Sequence, residues 1–551
     1  MADDFTRSQV KYTDPKNYDQ VIMVTQNTIN KQLHNMWALE EESSKLRTLT
    51  TSNSGGSIDA KLEAPRIELN IKDSTKPIYY YLTFKSGTLK VYQSDDRADT
   101  STRDFDVKGW TICFAAQISR KIVTGNETEF DVYTTKTGLK DCVFSLAKLY
   151  LDATSIPDPS IASTLPIPAN SSYANVDWKN ETTIVKSNFD TFMSRWVVDM
   201  GNAQKNVVGY SVLAGSTVNP HAPSFSPTAI DYCNYPWRDP SDYANLQTNK
   251  NDQDGVDQNA FSYLITTQKK EPPEARVLEY SAPFVNNAHG AVLCMNRELF
   301  WASWMLDHLR KLVRGTEMIP QKAYLEDVTA KYPDYASVVS TAPSFAFGTN
   351  PDHPNADDSY FALTDEGPEW SWSKYATPST VSVDVPSTNS KRTVTETAQS
   401  AVQVTFVSGG QKIAITGSNS FRFHYSSSEG GHATLTTQTW WHLNFALGAV
   451  SDGGLQITRV ADPTGVESVT TSHSFENDQL EWNYPFGDFA QAISDTLKRW
   501  FNNSLAWLTN DLVSALQHHH KLYLPASGVF LMQDAKFNKR GDLLVELHYN
   551  G

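Results

Sequence analysis

Several groups of residues in this 551-residue chain carry side chains of the kind that does chemistry. His518, His519 and His520 are consecutive. Three successive imidazoles cannot converge on one point from a regular element, and zinc sites favour spaced ligands. At the end of a helix they instead suit the helix dipole when protonated. The run Asn251–Asp257 (NDQDGVD) is rich in oxygen ligands. Setting Gly255 at the invariant glycine of an EF-hand loop puts Lys250 first and Phe261 last in the ligand order, and neither side chain binds calcium. Asp357, Asp358, Asp365 and Glu366 lie near Trp370 and Trp372, residue types found in sugar clefts, but nothing fixes the carboxylate separation that glycoside hydrolysis needs. Ser211 stands in GYSVL, which lacks the second glycine of a nucleophile elbow and reads as a strand. There is no HExxH and no phosphate-cradling P-loop. Cys113, Cys142, Cys233 and Cys294 form no CxxC pair and sit beside apolar residues, so they read as buried reduced thiols. No catalytic residue, metal or cofactor is expected, and the chain is not expected to be an enzyme.

The elements around these groups carry more information. From Phe486 to Leu516 there is no proline and a single glycine. Phe486, Phe489, Ile493, Leu497, Trp500, Phe501, Leu508, Leu512 and Leu516 fall at helical spacing and predict one apolar face of a long α-helix. Sheet, partner or lipid must cover that stripe. Residues 20–42 read as a first helix, with Ile22, Ile29, Leu33, Met36 and Trp37 on one face. Shorter helices are expected around Phe189, Phe192 and Trp196, and from Leu299 to Val313. Residues 48–57 and 155–172 read as linkers, and 215–260 and 340–400 as loop-rich, the latter a long insertion. Strands are expected over 261–268 and 291–295, in three short runs between 401 and 460 separated by glycine pairs, and at Leu543–Tyr549, half-buried by its alternation.

Three neighbouring strand-like runs share an irregularity. Alternation slips at Pro65–Arg66 in the first, at Ser86–Gly87 in the second and at Lys108–Gly109 in the third. A slip turns side chains to the wrong face unless a bulge absorbs it. Three such slips predict a strongly bent antiparallel sheet, able to wrap a helix.

Composition bounds the rest. Apolar residues at 40% and aromatic residues at 11% exclude a disordered chain. A net charge of -15 argues against nucleic acid as a partner, which would need a basic stripe. Lys269–Lys270, Arg310–Lys311 and Lys498–Arg499 leave room for local contact with anionic head groups. No apolar run is long enough to span a bilayer, and the N-terminus is acidic and polar, so the expected location is cytoplasmic, or outside the cell by a route without a signal peptide. The length suggests more than one domain: residues 1–330, an insertion or linker over 331–400, and residues 401–551 as a second module or the second half of one extended module.

Several segments, in order, resemble the TULIP proteins encoded beside clostridial neurotoxin genes. They are TINKQL at 28–33, FDVKGWTICF at 105–114, NVVGYSVL at 206–213, AFSYLITT at 260–267 and GAVLCMNRELFWASWMLDHL at 290–309. The last is the most specific, since strand, polar turn and Leu-Phe helix recur at the same spacing. The resemblance implies an α+β, mostly β fold in which long amphipathic helices are wrapped by strongly bent antiparallel sheets. It also implies a phospholipid or fatty acyl ligand in an apolar seam, and no catalytic residue. The seam residues expected on this reading are Ile29, Leu33 and Trp37 from one helix, and Phe489, Ile493, Leu497, Trp500 and Phe501 from another. A second reading is an accessory protein of a toxin or secretion complex, without a small ligand, whose exposed Trp and Tyr residues at 234–237 and 370–375 meet protein partners. A third is a carbohydrate-binding protein using the Trp-rich stretch 440–445.

Overall fold

The computed structural model describes residues 18–72, 78–94, 100–123, 144–152, 167–214, 227–238, 253–274, 277–278, 280, 284–285, 290–322, 343–348, 362–363, 369–385, 389–449, 455–460, 469–478, 486–517, 522–523 and 530–549. The fold is α+β and mostly β, with antiparallel ladders in sheets of nine, eight and six strands.

Strand Ile78–Tyr92 is the spine of the nine-stranded sheet. Its first half pairs with Arg66–Leu69 and Thr111–Val123, and its second half with Gly56–Leu62 and Thr102–Asp106. Both flanking strands therefore break at the same level. At that level the spine itself is irregular, because Lys61 pairs with Ser86 while Leu62 pairs with Phe84, leaving Lys85 extra. Gly87 follows with φ +144°, and a Cβ there would meet the Asp59 carbonyl oxygen at 2.4 Å. The backbone groups freed at the breaks pair with each other: Gly109 N–H donates to Phe84 O at 2.9 Å, and Val107 N–H to Gly87 O at 3.1 Å. These are the three slips legible in the sequence, aligned across the sheet, and they curl it.

Two helices cover this sheet. The first, Gln26–Leu39, lies against Arg66–Leu69. The second, Thr183–Asn202, lies against Thr48–Asn53, Gly56–Leu62 and Ile78–Tyr92. It buries Val185, Phe189, Phe192, Met193, Trp196 and Met200, the i, i+3, i+4 pattern expected of a core-facing stripe. Thr182 caps its N-terminus by accepting from Val185 N.

Two expectations in this region are corrected. Residues 20–42 are not one helix: Gln20–Thr25 is a strand with all six residues buried, and only Gln26–Leu39 is helical. A continuous apolar run buried on both faces has no strand alternation to betray it. Thr25 ends the strand and caps the helix, accepting from Thr28 N at 3.2 Å. The linker at 48–57 is a hairpin, Thr48–Asn53 with Gly56–Leu62.

The six-stranded sheet runs Ala229–Tyr235, Ala260–Thr266, Gln20–Thr25, Ala291–Met295, Leu543–Tyr549, Phe530–Phe537. Strand Ala229–Tyr235 lies inside the stretch read as loop. Leu543–Tyr549, expected to be half-buried, is buried on both faces through Leu547. Leu543, Val545 and Leu547 enter the main core, and Leu544 enters a second cluster with Tyr18, Val21, Met23, Leu264 and Phe284.

In the eight-stranded sheet the long strands are Ser390–Phe406, Lys412–Ser427 and His432–Ala449, far longer than the short runs expected. Residues 369–375, 379–385 and 390–400, read as insertion, are strands of this sheet. The glycine pairs 409–410 and 430–431 sit in the connecting turns as expected, while 453–454 lie outside the described residues. Helix Phe486–Gln517 packs on Leu455–Arg459, Thr470–Asp478 and His432–Ala449, and on helix Leu306–Thr316. That last helix continues from a π-helical stretch, Glu298–Met305.

Chain ends knit the sheets together. Leu522–Tyr523 pairs with Tyr210–Ser211 of the nine-stranded sheet. Gly409 N–H donates to Phe537 O at 2.7 Å, joining the six- and eight-stranded sheets. Beside that contact, Trp301 meets Trp370, Phe537 and Phe406 with ring centroids 4.3, 5.2 and 5.5 Å away.

Candidate apolar site between helices and curled sheet

A cavity of about 40 Å³ lies where the two N-terminal helices meet the curled sheet. The first helix contributes Leu33, and the second contributes Trp196, Val197 and Met200. From the sheet come Tyr80, Phe114 and Ala116. The bend places these three, since they stand on the halves of Ile78–Tyr92 and Thr111–Val123 that pair on one side of the break. Phe114 and Trp196 stack with centroids 6.3 Å apart. The Trp196 indole N–H donates to Lys45 O at 3.0 Å, which fixes the ring as a wall. Burial pushes the Tyr80 hydroxyl far above its ordinary range, so it stays neutral.

Lys205 and Asn206 complete the lining. Lys205 Nζ lies 2.6 Å from Glu40 Oε1, one residue past the first helix. Burial opposes charge on Glu40, but hydrogen bonds from Lys205 and Ser44 outweigh it and hold the carboxyl below its ordinary range. A second ion pair, Lys45 Nζ to Asp199 Oδ2 at 3.5 Å, spans the same end. At roughly 10–15 Å³ per water centre, the cavity admits a few waters and no acyl chain unless the helices part.

Of the residues expected to line a seam, Leu33 lines this cavity, while Ile29 and Trp37 are half-buried against the core. The Arg47 guanidinium covers the Trp37 ring at 4.4 Å. The other five lie elsewhere, under the long helix. Phe489 meets Phe421 at 5.2 Å and Phe345 at 5.5 Å. Phe501 meets Trp441 at 5.1 Å. Ile493 and Leu497 are fully enclosed, and the half-buried Trp500 lies flush on Gly315 of the neighbouring helix. The two stripes thus occupy two helix–sheet interfaces. Side chains of Phe486, Leu508, Leu512 and Leu516 lie outside the description.

The sequence marked Trp196 as helix core and the strands of Tyr80, Phe114 and Ala116 as bent, but gave no signal that they converge. Lys205 had no signal, and Asn206 only opened the strand-like segment at 206–213.

The residues with chemical potential fall into place differently. Asp254 Oδ1 accepts Ile71 N–H at 2.7 Å and Lys72 N–H at 3.1 Å, a structural use of the one carboxylate described in the acidic run's first half. His518–His520, Asp357, Asp358, Asp365, Glu366 and Cys142 lie outside the described residues. Burial pushes the Cys113 thiol up to about 12 and the Cys233 thiol up to about 11. Among the described residues, no group of three His, Cys, Asp or Glu side chains gathers as a metal would require. Tyr235, Trp370 and Trp372, expected to be exposed partner contacts, are buried, whereas Tyr375 is 74% exposed. In the Trp pair at the carbohydrate candidate, Trp440 is 44% exposed and Trp441 is buried. No helix of the described residues is long and apolar enough to cross a membrane.

No protein-family model matches the chain, and no curated protein matches it. Among solved structures, P47 from Clostridium botulinum A2 aligns with a TM-score of 0.39 at 11% identity, over 96% of this chain and 97% of that one. P47 of Clostridium botulinum E1 aligns with a TM-score of 0.42 at 9% identity, over 97% and 99%. A lipopolysaccharide binding protein aligns with a TM-score of 0.30 at 10% identity, over 97% and 99%. Scores this low decide neither the fold nor the function of this chain.

Proposed function

We propose that this chain is a non-enzymatic binder of one apolar chain, a phospholipid or fatty acyl ligand, held between helix and curled sheet in the manner of TULIP proteins. The supporting observation is the cavity bounded by Leu33, Trp196, Val197 and Met200 on the helix side and Tyr80, Phe114 and Ala116 on the sheet side. Its lining is mostly apolar, with Tyr80, Lys205 and Asn206 as the polar exceptions, an arrangement suited to sequestering an acyl chain and orienting its head. The binding module on this reading is the N-terminal one, within residues 1–330.

A second reading, an accessory protein of a toxin or secretion complex without a small ligand, draws on the burial under the long helix, where Leu497 and Ile493 are fully enclosed. Organic extraction and native mass spectrometry of the purified full chain separate the two. Co-purified amphiphile at one per chain is expected. A clean spectrum, no shift on liposome flotation and no uptake of added lipid would replace the first reading by the second.

A further inference from the structure

A carboxylate of the chain itself pairs with one of the residues that line the cavity. Glu40 Oε1 sits 2.6 Å from Lys205 Nζ, and the Lys205 side chain also lines the cavity. Lys205 thus belongs both to the cavity lining and to a partly exposed ion pair with Glu40. The same end carries two more ties between the 40–47 loop and the second helix: the Lys45–Asp199 ion pair and the Trp196 indole on Lys45 O. With about 40 Å³ inside, this strap must give way before an acyl chain can enter.

We infer that the ligand is a long-chain fatty acid whose carboxylate takes the place of Glu40 on Lys205, an inference that rests on the acyl-binding reading above. When the strap opens, Lys205 loses its carboxylate partner and stands beside an apolar site, where another anion can take that partner's place. The group that satisfies it in the closed state is a carboxylate on a short methylene stem. A fatty acid presents the same carboxylate on a stem long enough to fill the widened seam. In the exchange one ammonium–carboxylate contact breaks and one forms, and Glu40, at the surface end of its helix, moves out to water. A neutral ester offers Lys205 no anion, so its entry would either leave Lys205 unpaired or leave it on Glu40.

The test is titration calorimetry of the full chain with oleate and with monoolein, which share an acyl chain and differ in head charge. The readout is the ratio of their affinities within each protein. Wild type is expected to prefer oleate by about threefold to tenfold, the scale of one partly exposed ion pair. Lys205→Gln is expected to bring the ratio close to one. Glu40→Gln removes the internal competitor and is expected to raise the ratio several-fold. Should Lys205→Gln fail to fold, the rise in Glu40→Gln carries the test alone. An equal ratio in wild type and Glu40→Gln overturns the head-group assignment while leaving acyl binding intact. Absence of binding by both amphiphiles overturns the head-group assignment and the acyl-binding reading together.

Discussion

Glu396 is a carboxyl with no exposure to water, on the inward face of strand Ser390–Phe406. Its Oε1 accepts Ser344 N–H at 3.1 Å, and its Oε2 has no hydrogen-bond partner. Burial pushes it up to about 7, despite that backbone bond. The native state thus holds a proton that the unfolded chain releases above its ordinary value of 4.5. Stability from this group is full below that value and falls as pH rises toward 7, by at most about 3 kcal/mol. Glu396→Gln keeps the acceptor for Ser344 and removes the titration. The variant is expected to gain melting temperature relative to wild type on going from pH 5 to pH 8; a constant difference across that range would show that Glu396 does not titrate there. Ala116 makes a second residue-scale case, because its Cβ faces the cavity from the sheet. Ala116→Leu is expected to fill the cavity and lower acyl-ligand affinity about tenfold or more, read by lipid titration, with the melting temperature reporting the fold separately.

At the scale of elements, the long helix tests whether its stripe is packed core. Leu497 is 0% exposed and faces the eight-stranded sheet side of the helix with Phe489, Ile493 and Phe501. Leu497→Asp would bury an unpaired carboxylate and is expected to abolish folding, whereas Leu497→Ala is expected to cost about 2–5 kcal/mol by denaturant titration. A folded Leu497→Asp with unchanged stability would mean that the stripe borders open space. Where the helix crosses its neighbour, a Cβ on Gly315 would lie 2.0 Å from the Trp500 ring. Gly315→Ala is expected to destabilise by about 1–3 kcal/mol, and Trp500→Leu to recover part of that loss in the double variant. Much of this level was legible. Helical spacing located Phe486–Gln517 and the stripe of Phe189, Phe192 and Trp196, and the three phase slips located the bend. The first half of strand Ser390–Phe406 was illegible for a physical reason: its inward positions include Ser390, Arg392, Glu396 and Ser400, so no apolar alternation marks it, whereas Val402, Val404 and Phe406 marked the second half. Those polar groups are used instead to dock other segments. Ser400 Oγ accepts Met318 N–H at 2.9 Å and Glu396 Oε1 accepts Ser344 N–H, while on the neighbouring strand Asn419 Nδ2 donates to Thr316 O at 2.8 Å.

For the whole molecule, the pairing of distant segments decides the architecture, and no local pattern encodes it. Residues 530–549 supply two strands of a sheet whose other strands come from residues 20–295. Without them the edge of Ala291–Met295 is bare, and truncation after residue 529 is expected to yield insoluble or unfolded chain. Trp301 ties this hairpin to the eight-stranded sheet through Trp370, Phe406 and Phe537, and its indole N–H donates to Gly541 O at 2.9 Å. The site was half legible for the same reason. Leu33 and Trp196 stood out within their own helices, but their meeting over Phe114, with Lys205 at the rim, depends on the curl of the sheet and on where the second helix ends.

Photo-crosslinking of the full chain with a long-chain fatty acid carrying a diazirine on its tail tests the central claim most directly. Saturable labelling is expected on peptides containing Leu33, Tyr80, Phe114–Ala116 or Trp196–Met200, with suppression by excess unlabelled oleate. Labelling that does not saturate, or that falls only on peptides remote from these walls, would contradict a binding seam between the N-terminal helices and the curled sheet.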